Sequence, residues 1–266
     1  MIPLRNCKEG NKMIITSTAN NRIKQLIEYS RKRKKREKDG VFLVEGIRMF
    51  REIPKEYLLE VYVSETCWKK EHVEGIVLSD TVFSHVADTK TPQGIMALVR
   101  QRIYKEDELI NKKEPCILFL EDLQDPGNLG TIIRSAEAAG MSGVLISQDS
   151  VDIYNPKTIR ATMGSIFRVP FCYIKDKSTC MEQLKKRKIT IYAAHLSGKK
   201  NYDNVNYKTA SAFLIGNEGN GLSEALTKSA DVKIKIPMEG NVESLNAAIS
   251  ATVLMFEAAR QRRRKE

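Results

Sequence analysis

Residues 116–140 read CILFLEDLQDPGNLGTIIRSAEAAG. The opening run, Cys116-Ile-Leu-Phe-Leu120, is short and fully apolar, as expected of a strand buried on both faces. A polar loop follows, with Pro126-Gly127 as its turn signal. Residues 131–139 then read as a strong helix, and Gly140 as its stop. Strand, loop and helix in that order are the repeating unit of a parallel sheet.

Downstream the unit recurs. Apolar runs at 144–147, 171–174, 189–194, 212–215 and 232–236 read as further short strands with helices between them, and residues 155–163 open like a helix with Pro156 in the first turn. Such units make a mostly parallel sheet covered by helices on both faces. In these sheets ligands sit beyond the carboxyl ends of the strands. Three loops rich in Gly and Asn fall there: 125–130, 216–223 (GNEGNGLS) and 237–246 (PMEGNVESLN). Glycine lets backbone approach a ligand closely. The 216–223 loop lacks the Gly-Lys-Ser/Thr ending of a phosphate loop and has the wrong spacing for a dinucleotide fingerprint. Nucleoside-triphosphate and nicotinamide enzymes drop in rank.

Upstream, Ile23, Leu26 and Ile27 have helical spacing, and residues 31–38 form a dense basic run. Asp39-Gly40 is a turn signal; segments 41–44, 57–63, 75–78 and 93–99 read as strands, and 84–87 as the opening of a helix. This is a small α/β unit of about a hundred residues. Residues 100–114 are highly charged with little apolar periodicity. The expected organisation is therefore a domain at 1–105, a linker at 106–114 and a second domain at 115–266.

Composition narrows the function. The chain has 266 residues, 42% hydrophobic and 29% charged, which is globular and soluble. No run of about 18 apolar residues lacks polar breaks, so no membrane span is expected. The first residues have no signal-peptide character, and Met13 is a plausible alternative start. The five cysteines (Cys7, Cys67, Cys116, Cys172, Cys180) are odd in number and lack a Cys-x-x-Cys pair, which argues for a reducing cytoplasm and against a disulfide framework. The three histidines, His72, His85 and His195, are scattered, and no metal is expected. A net charge of +11 implies a polyanionic partner, nucleic acid first and an anionic membrane second. The run Arg31, Lys32, Arg33, Lys34, Lys35 and Arg36 offers phosphate contacts or, more plainly, a solvated helix end.

The three loops together resemble the three motifs of the SpoU (TrmH-type) RNA ribose 2′-O-methyltransferases of the SPOUT class. They are Asp125-Pro-Gly-Asn-Leu-Gly-Thr-Ile-Ile-Arg134, Leu214-Ile-Gly-Asn-Glu-Gly-Asn-Gly-Leu-Ser223, and Ile236-Pro-Met-Glu-Gly-Asn-Val-Glu-Ser-Leu-Asn-Ala247. The match spans about residues 116–260. The N-terminal part resembles the ribosomal-protein-like substrate-binding domain of rRNA members through its basic helix end, Phe42-Leu-Val-Glu-Gly46 and Thr91-Pro-Gln-Gly94. The resemblance implies S-adenosylmethionine as methyl donor, a homodimer through the C-terminal domain, and a C-terminal trefoil knot. It places the cofactor at Leu214, Ile215, Gly216, Asn217, Gly219, Ile236, Met238, Ser244, Leu245 and Asn246, and the substrate ribose at the first motif.

The resemblance also implies catalytic roles for Arg134, Asn128, Glu218, Ser244 and Asn246. Arg134 as general base is chemically awkward, because guanidinium stays protonated. The preferred reading is that it binds the adjoining phosphate and steadies the developing alkoxide. Its plain alternative is a helix ion pair with Glu137. Asn128 suits either a turn or the fixing of Arg134 or a phosphate, and Glu218 either a solvated loop or an orienting role. Ser244 reads as the N-cap of the last helix, with Asn246 facing the ligand loop. That helix, 247–259, is apolar on nearly every side, so burial on all sides, completed by a dimer interface, is expected. Arg134, Arg168 and the tail 260–265 add RNA-facing charge, although the tail also reads as a solvated end. The expected activity is methylation of 23S rRNA; a tRNA methyltransferase of the same type and a non-catalytic RNA-binding assembly factor are the alternatives.

Overall fold

The computed structural model describes residues 13–263, so Met1, Cys7 and the last residues of the basic tail lie outside the described residues. The chain divides into two units. Unit 1 holds the described residues up to Arg102 together with Asp152–Phe167; unit 2 holds Ile103–Val151 and the chain from Arg168 onward.

Unit 1 runs β1 (Ile14–Ile15), α1 (Asn21–Arg31), α2 (Arg33–Asp39), β2 (Val41–Glu45), α3 (Ile47–Arg51), β3 (Leu58–Ser64), α4 (Glu65–Glu71), β4 (Ile76–Leu78), α5 (Asp80–Val86) and β5 (Ile95–Arg100). Its five strands lie in the order β1-β4-β3-β5-β2, with β5 antiparallel to both neighbours. The Asn20 side chain caps α1 by accepting from the Arg22 N–H, and α1 then buries Ile23, Leu26 and Tyr29 on one face. Gly40, at φ +64°, ends α2 in the left-handed conformation that only glycine adopts cheaply. Residues 84–87 prove to be the end of a helix rather than its start. Ser79 caps α5 five residues earlier, and Val82, Phe83 and Val86 form its buried face.

Unit 2 begins with α6 (Glu106–Ile110), β6 (Cys116–Leu120), α7 (Pro126–Ala138) and β7 (Gly143–Ser147). The segment that follows carries α8 (Pro156–Thr162) and belongs to unit 1. Unit 2 resumes with β8 (Phe171–Ile174), α9 (Lys177–Lys186), β9 (Thr190–Ala194), β10 (Lys200–Asn201), β11 (Ser211–Ile215), α10 (Glu224–Ser229), β12 (Val232–Lys235) and α11 (Ala247–Arg263). Every pairing in its seven-stranded sheet, ordered β10-β12-β9-β11-β6-β7-β8, is parallel. β6, β7 and β11 are buried along their whole length, as the apolar run at 116–120 requires. From β6 the chain winds outward to β7 and β8, whereas β11 lies on the other flank of β6. The carboxyl ends of β6 and β11 therefore form the topological switch point, where such sheets bind ligands.

Two expectations are corrected here. The charged stretch 106–114 is not plain linker, because α6 buries Leu109 and Ile110 and packs on β7 and β8. A five-residue helix is too short to show apolar periodicity. The basic tail is not a solvated end as far as it is described. α11 runs to Arg263, and Arg262 donates to the carbonyls of Tyr207, Glu114 and Thr209.

Candidate active site

Five residues, 121–125, carry the chain from the end of β6 into α7. Asp125 is the N-cap, its carboxylate accepting the Asn128 N–H at 2.8 Å, and Pro126 occupies the first turn. The first motif is thus a helix N-terminus rather than a free loop, and Asn128 projects from its first turn. Its Nδ2 donates to Glu218 Oε1 at 2.9 Å, and its Oδ1 accepts from Asn246 Nδ2 at 3.0 Å. One asparagine therefore joins all three motif segments. Glu218 also accepts the backbone N–H groups of Gln124 and Asp125, each at 3.1 Å. Burial alone would raise the Glu218 carboxyl; the Asn128 amide and the surrounding backbone donors outweigh it and hold it below its ordinary value.

The second motif folds back on itself. Asn217 and Gly221 exchange backbone hydrogen bonds, and Asn217 Oδ1 accepts from the Gly219 and Asn220 N–H groups. Asn217 Nδ2 reaches the Asp122 carbonyl at 2.7 Å. A Cβ at Gly216 would lie 2.1 Å from the Gly221 carbonyl carbon, so no other residue fits there.

The third motif corrects the cap assignment. Asn246, not Ser244, caps α11, its Oδ1 accepting the N–H groups of Ala248 and Ile249. Ser244 is exposed and makes no hydrogen bond among the described residues. The last helix is also not covered all round. Ala248, Ala251, Leu254, Met255 and Ala258 are buried, but Ile249 and Phe256 are 49% and 41% exposed, on one stripe with Thr252 and Val253.

Between the second and third motifs lies a cleft of about 340 Å³, within the size range of small-molecule sites. Its walls include Ile215, Gly216, Asn217, Glu218 and Gly219, then Ile236, Met238, Ser244 and Leu245. Of the positions expected to hold the cofactor, Leu214 is wholly buried in β11 beneath it, and Asn246 belongs to the hydrogen-bonded cluster at its edge. Sequence reasoning missed Ala194, His195 and Leu196, which line the cleft from the end of β9. The rule that ligands lie beyond strand ends was the available signal, but no Gly/Asn-rich loop marked that strand. The cradle at Gly216 and a wall of mixed polar and apolar groups fit a nucleoside-bearing ligand.

Arg134 does not line the cleft. It lies six residues along α7 from Asn128, about 9 Å by helix rise, exposed, and its side chain has no hydrogen bond or ion pair among the described residues. The Glu137 carboxylate that sequence offered it is held instead by Arg168, whose Nη2 lies 3.2 Å from Oε2.

Beneath the cluster sits a network that sequence did not suggest. Glu121, 2% exposed, accepts from Lys177 Nζ at 2.9 Å and from the Ser223 N–H at 2.7 Å. Asp122 also receives Lys177, and its Oδ1 accepts from Ser147 Oγ at 2.6 Å. For both ionic partners burial opposes the charge, yet the pair prevails. Lys177 is raised by its two carboxylates, and Asp122 is lowered by Ser147 and Lys177. Asp122 holds φ +52°, a left-handed conformation costing non-glycine residues ~1–2 kcal/mol and tolerated best by Asp and Asn.

In unit 1 the basic run spans the end of α1 and the start of α2, broken by extended Lys32, and is mostly paired. Lys32, Arg33 and Lys35 bridge Glu28, Glu37 and Asp39 at i,i+4 spacing. Arg36 is no phosphate contact. It is 3% exposed, its Nη2 lies 2.5 Å from Asp152, and its Nη1 donates to the Tyr29 and Ser30 carbonyls. Arg31 and Lys34 remain exposed without a partner among the described residues. Among those residues, no group of three or more His, Cys, Asp or Glu could hold a metal ion, and no helix is long and apolar enough to cross a membrane.

A doubly wound parallel sheet with a joined polar cluster at its switch point and a cleft beside it defines an α/β protein of the ligand-binding, carboxyl-edge class. Residues 115–256 match the SpoU rRNA Methylase family and residues 20–97 the MRM3-like substrate binding domain. The 23S rRNA (guanosine(2553)-2′-O)-methyltransferase RlmP of Bacillus subtilis is 32% identical over 91% of this chain and 97% of its own. The 23S rRNA (uridine(2479)-2′-O)-methyltransferase of Streptomyces viridochromogenes is 29% identical over 86% of each. The crystal structure of the SpoU methyltransferase AviRb from Streptomyces viridochromogenes with AdoMet superposes with a TM-score of 0.82, at 26% identity, over 91% of this chain and 98% of that one. The chain belongs to the SpoU/TrmH family of RNA methyltransferases.

Proposed function

We propose that the protein transfers a methyl group from S-adenosylmethionine to a ribose 2′-hydroxyl of 23S rRNA. The observation that carries this reading is the Asn128 side chain, which joins Glu218 and Asn246 and so draws the three motif segments together beside the cleft. Gly216 and the walls at Ile236, Met238 and Leu245 hold the adenosine portion, with Ser244 offering a free hydroxyl at the rim. When bound, the cofactor supplies an already activated methyl on sulfonium, so alignment is a large part of the catalysis.

Arg134 steadies the alkoxide that develops on the ribose and binds the adjoining phosphate, while the proton leaves to water or another acceptor. Because Arg134 lies outside the cleft of its own chain, the reading includes a homodimer. The stripe of Ile249, Thr252, Val253 and Phe256 is the apolar face such a dimer covers. Thr252 hydrogen-bonds Ser135, the neighbour of Arg134, at 3.0 Å, so α7 accompanies α11 to that interface. The C-terminal segment forms the trefoil knot the resemblance implies, residues 115–266 act as the methyltransferase domain, and residues 1–105 bind RNA, with Arg31 and Lys34 as free phosphate contacts. The location is cytoplasmic.

The test is methyl transfer from labelled cofactor to 23S rRNA and to tRNA, with primer extension locating the modified ribose. Label in 23S rRNA alone supports the reading; label in tRNA alone, or in neither, defeats it.

A further inference from the structure

Lys177 is the first residue of α9, directly after its N-cap Asp176. A helix N-terminus disfavours a cation, so this lysine breaks a local rule. It is turned to a carboxylate pair instead. Its ammonium lies 2.9 Å from Glu121 Oε1 and 2.9 Å from Asp122 Oδ2. Each of those residues then holds one end of the 216–223 loop. The Asp122 carbonyl accepts from Asn217 at the loop's start, and Glu121 Oε2 accepts the Ser223 N–H at its close. Ser223 in turn caps α10. A charge-assisted hydrogen bond is about twice as strong as a neutral one, and a buried carboxylate left without its cation is costly.

We propose that Lys177 is a positioning residue for methyl transfer, its ammonium clamping Glu121 and Asp122 so that both ends of the 216–223 loop stand ready for the cofactor. This rests on the reading that the loop walls a cofactor cleft. Lys177 touches neither cofactor nor ribose. Its removal therefore loosens the loop and weakens cofactor binding, and spares the chemistry once the cleft is filled.

The experiment compares wild type with Lys177→Met, Lys177→Arg and Glu121→Gln. S-adenosylmethionine and S-adenosylhomocysteine binding is measured by calorimetry, loop opening by amide hydrogen exchange without ligand, and kcat and KM with RNA. Lys177→Met is expected to raise Kd and KM for the cofactor roughly tenfold, to leave kcat within about threefold, and to speed exchange across 216–223. Lys177→Arg recovers most of the affinity. If Lys177→Met does not fold, Glu121→Gln decides, with an expected threefold or greater rise in Kd. Unchanged affinity and exchange in the decisive variant overturn the proposal, as does a fall in kcat with KM unmoved. Absence of cofactor binding by the wild-type protein instead overturns the reading of the cleft.

Discussion

The two units handle polar groups in opposite ways. In unit 1, charge is mostly on the outside: three of the six cations in 31–36 bridge to carboxylates one helical turn away, in pairs that contribute little because water competes for both partners. Only Arg36 is buried with its carboxylate. In unit 2, the groups at the strand ends are spent on one another. Asn128, Asn217, Glu218 and Asn246 link loops far apart in sequence, and Lys177 binds two carboxylates beneath them. On the proposed reading, the first pattern serves a polyanion without specifying its place. The second fixes atoms in advance, which is what a reacting centre requires.

The sharpest way to break that contrast is Arg36→Ala. It leaves Asp152 buried without its cation, with an expected loss of about 3–5 kcal/mol of stability. Denaturant unfolding followed by a probe in unit 1 measures it; a loss below 1 kcal/mol would show that the pair is solvated. Next comes Arg134→Ala, expected to lower kcat roughly 10²–10³-fold with the melting temperature and cofactor affinity unchanged. Wild-type kcat in that variant removes Arg134 from the chemistry.

A smaller effect is expected from Arg31→Gln with Lys34→Gln. Filter binding across salt concentrations should show weaker RNA binding and a shallower slope, by roughly 0.7 per lost contact on single-stranded RNA. An unmoved slope makes the run a solubilising face. The smallest effect concerns Glu218. Its folded carboxyl lies below the ordinary 4.5, so the stability it adds is present above that value and is lost as pH falls through the folded one. Thermal melts of wild type and Glu218→Gln between pH 3 and 7 should differ at neutrality and converge at the acid end. A constant difference would deny the linkage.

Much of unit 2 was legible because a strand buried on both faces must be almost wholly apolar, as 116–120 and 212–215 are. The loops were legible because Gly and Asn mark backbone that must turn tightly, and Gly216 has no room for a side chain. What failed were choices among equals. Ser244 and Asn246 are both good caps, and the neighbourhood of Asn128 decides between them. The six cations of 31–36 look alike until Asp152, 116 residues away from Arg36, singles one out. Lys177 reads as an ordinary helix lysine, and nothing in the pattern of 152–167 announces that it belongs with unit 1.

By itself, then, the order of residues determined the α/β class, the positions of most strands and the three loops that carry the family's motifs. These follow from local physics: apolar periodicity, turn chemistry and the absence of a glycine side chain. Only the tertiary structure decided which polar groups meet, which cation is buried, which residue caps α11 and that Arg134 stands apart from the cleft. Hydrogen bonds and ion pairs act over about 3 Å, and only the folded chain determines which distant residues come that close.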